Sequence, residues 1–197
     1  MLSVVTESRD TLPTRICVIG AESTGKTTLC KDLAQRYGVP FVPEFGRHYT
    51  EALPDAQRYN WQRHDFVAIA QAQNRIENDA MSWIRPLVIC DTNSFVTSVF
   101  CEAYLGERDP EVDALAAGRE YDLYVVCDPA TPFEQDLTTG LRRDGSQRTW
   151  MHERFLEYLA ETNTPWLMAK GTRDARVELV VAALNEQQAS SLAALAD

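Results

Sequence analysis

The amino-acid sequence predicts an α/β fold in which helices cover both faces of a doubly wound, five-stranded parallel sheet. Two observations predict it. Short apolar segments alternate with amphipathic segments along the chain, as they do in α/β proteins. Most of the short segments are apolar at every position, which is typical of strands that are buried on both faces. The 197 residues, of which 45% are hydrophobic, suit a single globular domain.

The predicted strands are short, rich in β-branched residues and bounded by glycine, proline or aspartate. They cover residues 15–20, 39–42, 87–91, 122–128 and 165–169. The predicted helices carry apolar residues three or four positions apart. They cover residues 26–37, 62–84, 94–104, 147–161 and 175–184. Pro40 places the second strand near an edge of the sheet, because proline cannot donate to a strand ladder.

The domain organisation is simple. We expect a folded domain at residues 15–187, an N-terminal extension at residues 1–14 and a C-terminal tail at residues 188–197. The last dozen residues are rich in Ala, Ser and Gln, so they either extend the final helix or fray. No apolar run approaches the roughly 20 residues of a membrane helix, and no apolar signal core begins the chain. The five cysteines form no CxxC pair and are expected to be buried free thiols, so we expect a cytoplasmic protein.

The charge balance limits the kinds of partner. Lys and Arg number 19 and Asp and Glu number 29, which gives a formal net charge of −10. A strongly acidic chain is a poor candidate for coating nucleic acid or an anionic membrane, so we expect neither as a partner. Such a chain can still bind a small anion where positive groups are concentrated locally.

The strongest motif follows the first predicted strand. Residues 20–27 match the phosphate-loop pattern G-x-x-x-x-G-K-S/T at every fixed position, with a predicted strand before and a predicted helix after them. Backbone N–H groups of such a loop, with the start of the helix, surround the phosphates of a nucleotide. We therefore class the fold as a P-loop NTPase and assign ATP to this loop. Its residues are Gly20, Ala21, Glu22, Ser23, Thr24, Gly25, Lys26, Thr27 and Thr28.

The charged groups of catalysis are expected around this loop. Lys26 is predicted to contact the β- and γ-phosphates and to be catalytic, and Thr27 is predicted to bind Mg²⁺. A P-loop enzyme also needs an acid that holds Mg²⁺ directly or through water. Asp91, at the end of the third strand, is the better candidate for this catalytic and metal-binding role. Asp128, at the end of the fourth strand, is the alternative. An aspartate just after a strand is, however, often only a turn residue.

An acceptor site is expected beside the loop, because the carboxyl ends of neighbouring parallel strands share one crevice. Glu44, after the second strand, is placed to take a proton from an attacking hydroxyl, and Arg47 to bind a phosphate or the acceptor. The alternative is that the two form an ordinary surface pair. Thr92, Asn93 and Phe95 follow the third strand and are predicted to face the same crevice. Together with Asp91, they are candidate substrate-binding residues.

Aromatic residues are candidates for stacking on a ring of the acceptor. Trp61, Phe95 and Tyr104 are the three that we consider, although aromatic residues in such positions belong to the core more often than to a site. Residues 171–173, after the fifth strand, are a positional candidate for contacts with adenine.

A basic segment with glycines, residues 137–148, is predicted to be a lid. It carries Arg142, Arg143 and Arg148, all three predicted to bind the phosphates of ATP, and the first of them to be catalytic. Arginines that close over a transferring phosphoryl group stabilise its charge, and closure excludes water that would otherwise compete as acceptor. The alternative is a solvated basic loop.

Several of these segments together resemble one family, the ribosylnicotinamide kinase domain of NadR-type proteins. The segments are GAESTGKTTL from Gly20, EFGR from Glu44, CDTNSFVT from Cys90, YLGER from Tyr104, YDL from Tyr121 and GLR from Gly140. The resemblance runs from about Arg15 to Asn185. It implies a kinase with a five-stranded parallel core that uses ATP and Mg²⁺ to phosphorylate the 5′-hydroxyl of nicotinamide riboside, giving nicotinamide mononucleotide. It also implies that Asp91 is the Mg²⁺-linked acid and Glu44 the base.

The sequence departs from the family in two respects. The family often has a second aspartate where Asn93 stands, and its best-known members carry an adenylyltransferase domain for which 197 residues leave no room. We therefore expect a free-standing kinase. Two other functions stay open. One is a kinase for another nucleoside or small molecule. The other is a regulatory ATP-binding or ATPase module, which needs no lid arginines and hydrolyses ATP without an acceptor.

Overall fold

The computed structural model of the chain describes residues 14–56, 58–130 and 145–194, with the backbone alone at residues 145–146 and 191–194. The described residues contain one parallel sheet of five strands in the order β2-β3-β1-β4-β5. Its strands are β1 (Thr14–Ile19), β2 (Phe41–Val42), β3 (Leu87–Asp91), β4 (Leu123–Cys127) and β5 (Trp166–Ala169). The predicted α/β fold with a five-stranded parallel sheet is confirmed.

Helices connect the strands and cover the sheet. They are α1 (Lys26–Tyr37), α2 (Phe45–Glu51), α3 (Arg63–Trp83), α4 (Ser94–Leu105), α5 (Pro110–Ala117), α6 (Gly145–Glu161) and α7 (Arg173–Ala194). One group pairs α1 with α7, and a second group contains α3, α4 and α5, with α6 against α4. All residues of β3 and β4 are buried, so helices cover both faces of the sheet there.

The strand order places the site. β1 lies between β3 and β4, so the chain moves to one side of β1 to form β2 and β3 and to the other side to form β4 and β5. Ligands of doubly wound sheets bind where the strand order reverses in this way, at the carboxyl ends of the strands. In the register of the sheet, Val18 is the partner of Asp91 on one side and of Val125 on the other. Asp91 therefore lies next to the carboxyl end of β1, where the phosphate loop begins.

Two helices were not predicted. The helix α2 has only seven residues, too few for an apolar periodicity to appear. The helix α5 has eight, but the sequence does contain its start signal. The Asp109 carboxylate accepts hydrogen bonds from the backbone N–H groups of Glu111 and Val112, and Pro110 occupies the first turn, a combination that is typical of a helix N-terminus.

The other differences concern ends of elements. The strand β2 has two residues instead of four, since Pro40 and Pro43 flank it. The helix α7 extends to Ala194 instead of residue 184, so the Ala/Ser/Gln-rich end extends the final helix. The helix α6 begins at Gly145, within the predicted lid; residues 131–144, with Arg142 and Arg143, lie outside the described residues.

Three further features of the described residues bear on function. All five cysteines are free and buried, as predicted. None of the helices that the structure describes combines the length and the apolar character that a membrane span requires. The same residues contain no group of three His, Cys, Asp or Glu side chains that could by itself hold a metal ion.

Candidate active site

The phosphate loop joins β1 to α1 in a tightly constrained conformation. Gly20 has a φ of 153°, and a Cβ atom there would lie 2.8 Å from Oγ1 of Thr24 and 3.1 Å from Cβ of Cys127. Gly25 has a φ of 86° and is the N-cap of α1, in a left-handed conformation that glycine adopts without steric cost. Ser23 has a φ of 55°, which is unusual for a residue with a side chain. Such conformations are costly and persist only where the surrounding structure enforces them. They cluster at ligand sites.

An arginine of α7 holds the loop from outside. Arg176 is buried; its Nη1 donates to the carbonyl oxygen of Thr24 over 2.9 Å and its Nε to that of Gly171 over 3.2 Å. Inside the loop, Lys26 is also buried, and its Nζ donates to the carbonyl oxygen of Ala21 over 3.0 Å. The loop therefore carries its lysine in a fixed position. Sequence reasoning missed Arg176, since an arginine in a helix about 150 residues away carries no signal of this contact.

Thr27 and Asp91, the two predicted metal-binding residues, lie side by side. Oγ1 of Thr27 donates to Oδ2 of Asp91 over 2.6 Å, whereas Oδ1 of Asp91 is buried without a hydrogen-bond partner among the described residues. Burial raises the pKa of the Asp91 carboxyl, and the charge of Lys26 opposes this shift. Mg²⁺ prefers hard oxygen ligands, and a buried carboxylate oxygen without a donor suits a cation or its bound water. These residues therefore fit Mg²⁺.

Asp128, the alternative acid, has the role of a turn residue. Its Oδ1 accepts a hydrogen bond from the backbone N–H of Ala130 over 2.8 Å, two residues further on. This is the local contact by which aspartate stabilises turns. The structure therefore favours Asp91 over Asp128.

A pocket opens beside the phosphate loop and encloses about 860 Å³ of empty space, part of it open to solvent. Its polar side brings together Lys26 of the loop with Glu44, Arg47 and Thr92 of the predicted acceptor site. Glu22 of the loop also lines it. The pocket thus joins the two halves of the predicted site.

Glu44 lies at the start of α2 and faces this pocket. It is the N-cap residue of α2, yet its side chain makes no capping hydrogen bond. Burial raises the pKa of the Glu44 carboxyl, and the charge of Lys26 opposes this shift. A carboxyl with a raised pKa, beside a place for a hydroxyl, is suited to accept a proton. Arg47, one turn further along α2, is exposed and borders the same pocket.

Thr92 lies at the end of β3 in an unusual conformation. Its φ is 66°, its backbone N–H donates to the carbonyl oxygen of Val18 over 3.0 Å, and it lines the pocket. A β-branched residue with positive φ is rare and marks a constrained turn. The structure therefore retains Thr92 among the candidate substrate-binding residues.

An aromatic wall closes the other side of the pocket. The ring centroid of Trp61 lies 5.4 Å from that of Phe66 and 5.7 Å from that of Tyr104, and Phe100 completes the wall. Trp61 and Tyr104 therefore lie where the sequence-based hypothesis needs them. The wall offers apolar ring surfaces, tilted against one another, to a ring-shaped ligand.

Three predicted substrate-binding residues do not line this pocket, which corrects the sequence-based assignment. One is Asp91, whose contacts are given above, and the other two lie at the start of α4. Phe95 is 1% exposed, and its ring stacks on that of Tyr158 with centroids 3.6 Å apart. Oδ1 of Asn93 accepts the backbone N–H of Val96 and so caps α4, while its Nδ2 donates to the hydroxyl of Tyr124 over 3.0 Å. Both residues belong to the first turn of α4 on its core side. Their side chains are committed to packing and capping.

The lid and the adenine site are described only in part. Arg148 lies in α6, and its Nη2 donates to the carbonyl oxygen of Pro129 over 3.1 Å. A small cavity there is lined by Arg148 together with Glu22 of the phosphate loop. Of residues 171–173, Arg173 pairs with Asp32 of α1, with 2.6 Å between Nε and Oδ2. The roles of the lid arginines and of residues 171–173 stay predictions.

Comparison with sequence families gives a match over most of the domain. The family is described as an AAA domain, and it matches residues 15–176. The chain belongs to this AAA domain family. The match begins in β1 and ends at Arg176 in α7, so it includes the phosphate loop and the pocket described above.

Among curated proteins, this AAA domain chain is similar to NadR. It is 29% identical over 191 residues to the trifunctional NAD biosynthesis/regulator protein NadR of Salmonella typhimurium, and the alignment covers 93% of this chain and 46% of the relative. The NadR protein of Escherichia coli is 28% identical over 192 residues, with 94% and 46% covered. The chain thus spans about half the length of the curated relatives that it matches. The predicted resemblance to NadR-type kinases is confirmed.

Solved structures agree with this relationship. A crystal structure of NadR protein in complex with NR has a TM-score of 0.72 and 25% sequence identity, and the match covers 89% of this chain and 51% of that one. A deoxyadenosine kinase from M. mycoides has a TM-score of 0.61 with 11% identity, and the match covers 88% of this chain and all of that one. The second similarity is one of fold alone. The AAA domain chain therefore has the fold of P-loop nucleoside kinases.

Proposed function

We propose that the protein transfers the γ-phosphoryl group of ATP to the 5′-hydroxyl of nicotinamide riboside and so forms nicotinamide mononucleotide. The observation that carries the proposal is the pocket in which Lys26 of the phosphate loop, the Glu44 carboxyl and an aromatic wall face one another. The similar crystal structure is one of NadR protein in complex with NR, the abbreviation of nicotinamide riboside. A nucleoside held against the wall would place its hydroxyl between the carboxylate and the phosphates.

The transfer exchanges one oxygen–phosphorus bond for another. The 5′-oxygen of the acceptor forms a bond to the γ-phosphorus, the bond to the bridging oxygen breaks, and ADP leaves. The hydroxyl proton passes to the carboxylate of Glu44, while Lys26 and the N–H groups of the loop stabilise charge on the phosphate oxygens. Thr27 and Asp91 would hold Mg²⁺, which neutralises phosphate charge when bound.

The charge of the acceptor fits the pocket. Nicotinamide riboside carries a pyridinium ring, which is a cation. A cation over an aromatic face is stabilised by about 2 kcal/mol when it is shielded from water. Trp61 and Tyr104 supply such faces, and the carboxylates of Glu22 and Glu44 border the same pocket. A neutral nucleoside would gain less from these groups, so the pocket favours the cationic acceptor.

The lid and the cellular context complete the proposal. We assign Arg142, Arg143 and Arg148 to the lid that closes over the phosphates of ATP, with Arg142 contacting the transferring group. We place the reaction in the cytoplasm, with small molecules as the only partners and no nucleic acid or membrane among them. Residues 15–187 form the kinase domain in this proposal.

An acceptor screen tests the proposal. Consumption of ATP is measured with nicotinamide riboside, with deoxyadenosine, with thymidine and without an acceptor. We expect turnover to depend on nicotinamide riboside. Faster turnover with another nucleoside would overturn the proposed acceptor, and equal turnover without any acceptor would favour a regulatory ATPase module.

A further inference from the structure

A chain of hydrogen bonds leads from the core to the acceptor pocket through Gln73 of α3. Its Nε2 donates to Oε1 of Glu77 over 3.1 Å, and its Oε1 accepts the backbone N–H of Phe45 over 2.9 Å. Gln73 is 2% exposed and lies in the pocket wall. Phe45 directly follows Glu44. The series of hydrogen bonds therefore ends at the backbone that carries the proposed base.

The core end of this chain is firmly anchored. Glu77 is fully buried, and its Oε2 accepts the hydroxyl of Tyr121 over 2.7 Å and Nη2 of Arg119 over 2.8 Å, with Nη1 of Arg15 3.9 Å away. A carboxylate only accepts hydrogen bonds, so Glu77 must receive the NH₂ group of the Gln73 amide. The orientation of the amide is thereby fixed, and its oxygen faces Phe45.

This arrangement leaves the Glu44 side chain available for chemistry. The first N–H groups of a helix have no partner within the helix, and side chains near the helix start often satisfy them. In α2 the first such group, that of Phe45, is satisfied by Gln73 from the neighbouring helix α3. Glu44 makes no capping bond with its side chain. The start of α2 is thus fixed without use of the carboxylate that faces the pocket.

We propose that Gln73 and Glu77 are positioning residues for Glu44, and that the relay Glu77–Gln73–Phe45 fixes the backbone from which the Glu44 carboxylate reaches the acceptor hydroxyl. The relay rests on the proposed function, in which Glu44 is the base. The two residues act through the backbone of Phe45 and do not take part in proton transfer themselves.

The direction of the relay makes its disruption predictable. Glu77→Gln replaces one acceptor oxygen by an NH₂ group, and the donors Arg119 and Tyr121 retain the other oxygen. The new NH₂ group at position 77 then faces Gln73. The Gln73 amide turns its oxygen toward this group, and the NH₂ group of Gln73 then faces the N–H of Phe45. The hydrogen bond to Phe45 is lost. A second change, Gln73→Glu, supplies acceptors for both the NH₂ group at position 77 and the N–H of Phe45, so the double variant restores the relay.

The test compares amide exchange with kinetics in the full chain. Hydrogen exchange of the Phe45 N–H is followed by NMR, and kcat and KM are measured with ATP and nicotinamide riboside. We expect Gln73→Met and Glu77→Gln each to speed exchange at Phe45 at least about tenfold. We expect each to lower kcat about tenfold, with the KM of ATP changed less than about twofold, since misplaced catalytic groups slow the chemical step.

The double variant and a control decide the matter. Glu77→Gln with Gln73→Glu should recover both exchange protection and kcat to within about threefold of the wild type, a non-additive result that defines coupling. Gln71→Met, at an exposed position of the same helix, should change neither. Three results would each overturn the relay. Exchange at Phe45 could be unchanged in Glu77→Gln, kcat could be unchanged although exchange at Phe45 is faster, or the double variant could be slower than Glu77→Gln.

The two proposals can fail separately. Exchange at Phe45 needs no substrate. If the wild type did not phosphorylate nicotinamide riboside, the proposed function would be wrong, and the exchange pattern would still decide whether the relay exists.

Discussion

Replacement of Glu44 by glutamine tests the proposed base with little change in shape. The variant keeps the size of the side chain at the start of α2 and removes its ability to accept a proton. A positioned general base contributes about 10²- to 10⁴-fold to rate, so we expect kcat to fall at least about 100-fold. The Kd of ATP should stay within about twofold, because the loop contacts of Lys26 are independent of Glu44. The assay is ADP release with saturating ATP and nicotinamide riboside.

The pH dependence provides a second measure of the same change. Burial raises the pKa of the Glu44 carboxyl, and a base must be deprotonated to act. Turnover of the wild type should therefore fall as the pH decreases through a pKa above that of an ordinary glutamate, and Glu44→Gln should lose this acidic limb. Glu51→Gln makes the same chemical change at an exposed position of α2 and should leave rate and pH profile intact. A kcat of Glu44→Gln within about threefold of the wild type would refute the assignment of the base.

Three further variants test the loop and the aromatic wall. Lys26→Ala should lower kcat at least about 1,000-fold, since it removes the cation that stabilises the phosphates in the transition state. Gly20→Ala should destabilise the fold by at least about 2 kcal/mol, measured by denaturant unfolding, because its Cβ would lie 2.8 Å from Oγ1 of Thr24. Trp61→Ala should raise the KM of nicotinamide riboside about tenfold, the equivalent of about 1.4 kcal/mol, and leave the KM of ATP unchanged.

Each of these variants has a matched control. Lys31→Ala lies on the exposed side of α1, and Trp83→Ala removes a side chain that is 65% exposed, so both should retain wild-type kinetics. Gly118→Ala should cost little stability, because no atom beyond the adjacent residues of the chain lies within 4 Å of the added Cβ. Activity of Lys26→Ala near that of the wild type would contradict the phosphate-loop assignment. Equal losses in Trp61→Ala and Trp83→Ala would show that the wall has no specific role.

The features that the sequence predicted are those that depend on short stretches of chain. The phosphate loop is a local motif, and its glycines are required by backbone angles and by the approach of Thr24 to Gly20. The position of Asp91 could be predicted because it ends a strand next to β1. The alternation of apolar and amphipathic segments was sufficient for the five strands, since each strand is a short apolar run.

The features that the sequence did not predict depend on contacts between distant segments. Asn93 and Phe95 lie two and four positions after Asp91, but the start of α4 directs their side chains to the core. The spacing in the sequence does not define this direction. Gln73 has the periodicity of a core position in α3, and only its two hydrogen bonds distinguish it from a packing residue. Arg176 reaches the phosphate loop from the last helix of the domain.

The charge distribution connects the fold to the proposed acceptor. The chain carries a net charge of −10, and Lys26 and Arg47 border the pocket. The proposed function requires this pocket to bind both an anion and a cation. The basic groups suit the phosphates of ATP, whereas Glu22 and Glu44 suit a pyridinium ring. An acidic protein therefore need not exclude either ligand.

Identification of the product is the most direct test of the proposed activity. The protein is incubated with ATP, Mg²⁺ and nicotinamide riboside, and ADP and phosphorylated nucleoside are quantified together by chromatography and mass spectrometry. We predict equal amounts of ADP and nicotinamide mononucleotide, with the phosphate on the 5′-oxygen, and negligible ADP without the nucleoside. ADP formation at the same rate without nicotinamide riboside, or with no phosphorylated nucleoside, would contradict the proposed kinase activity.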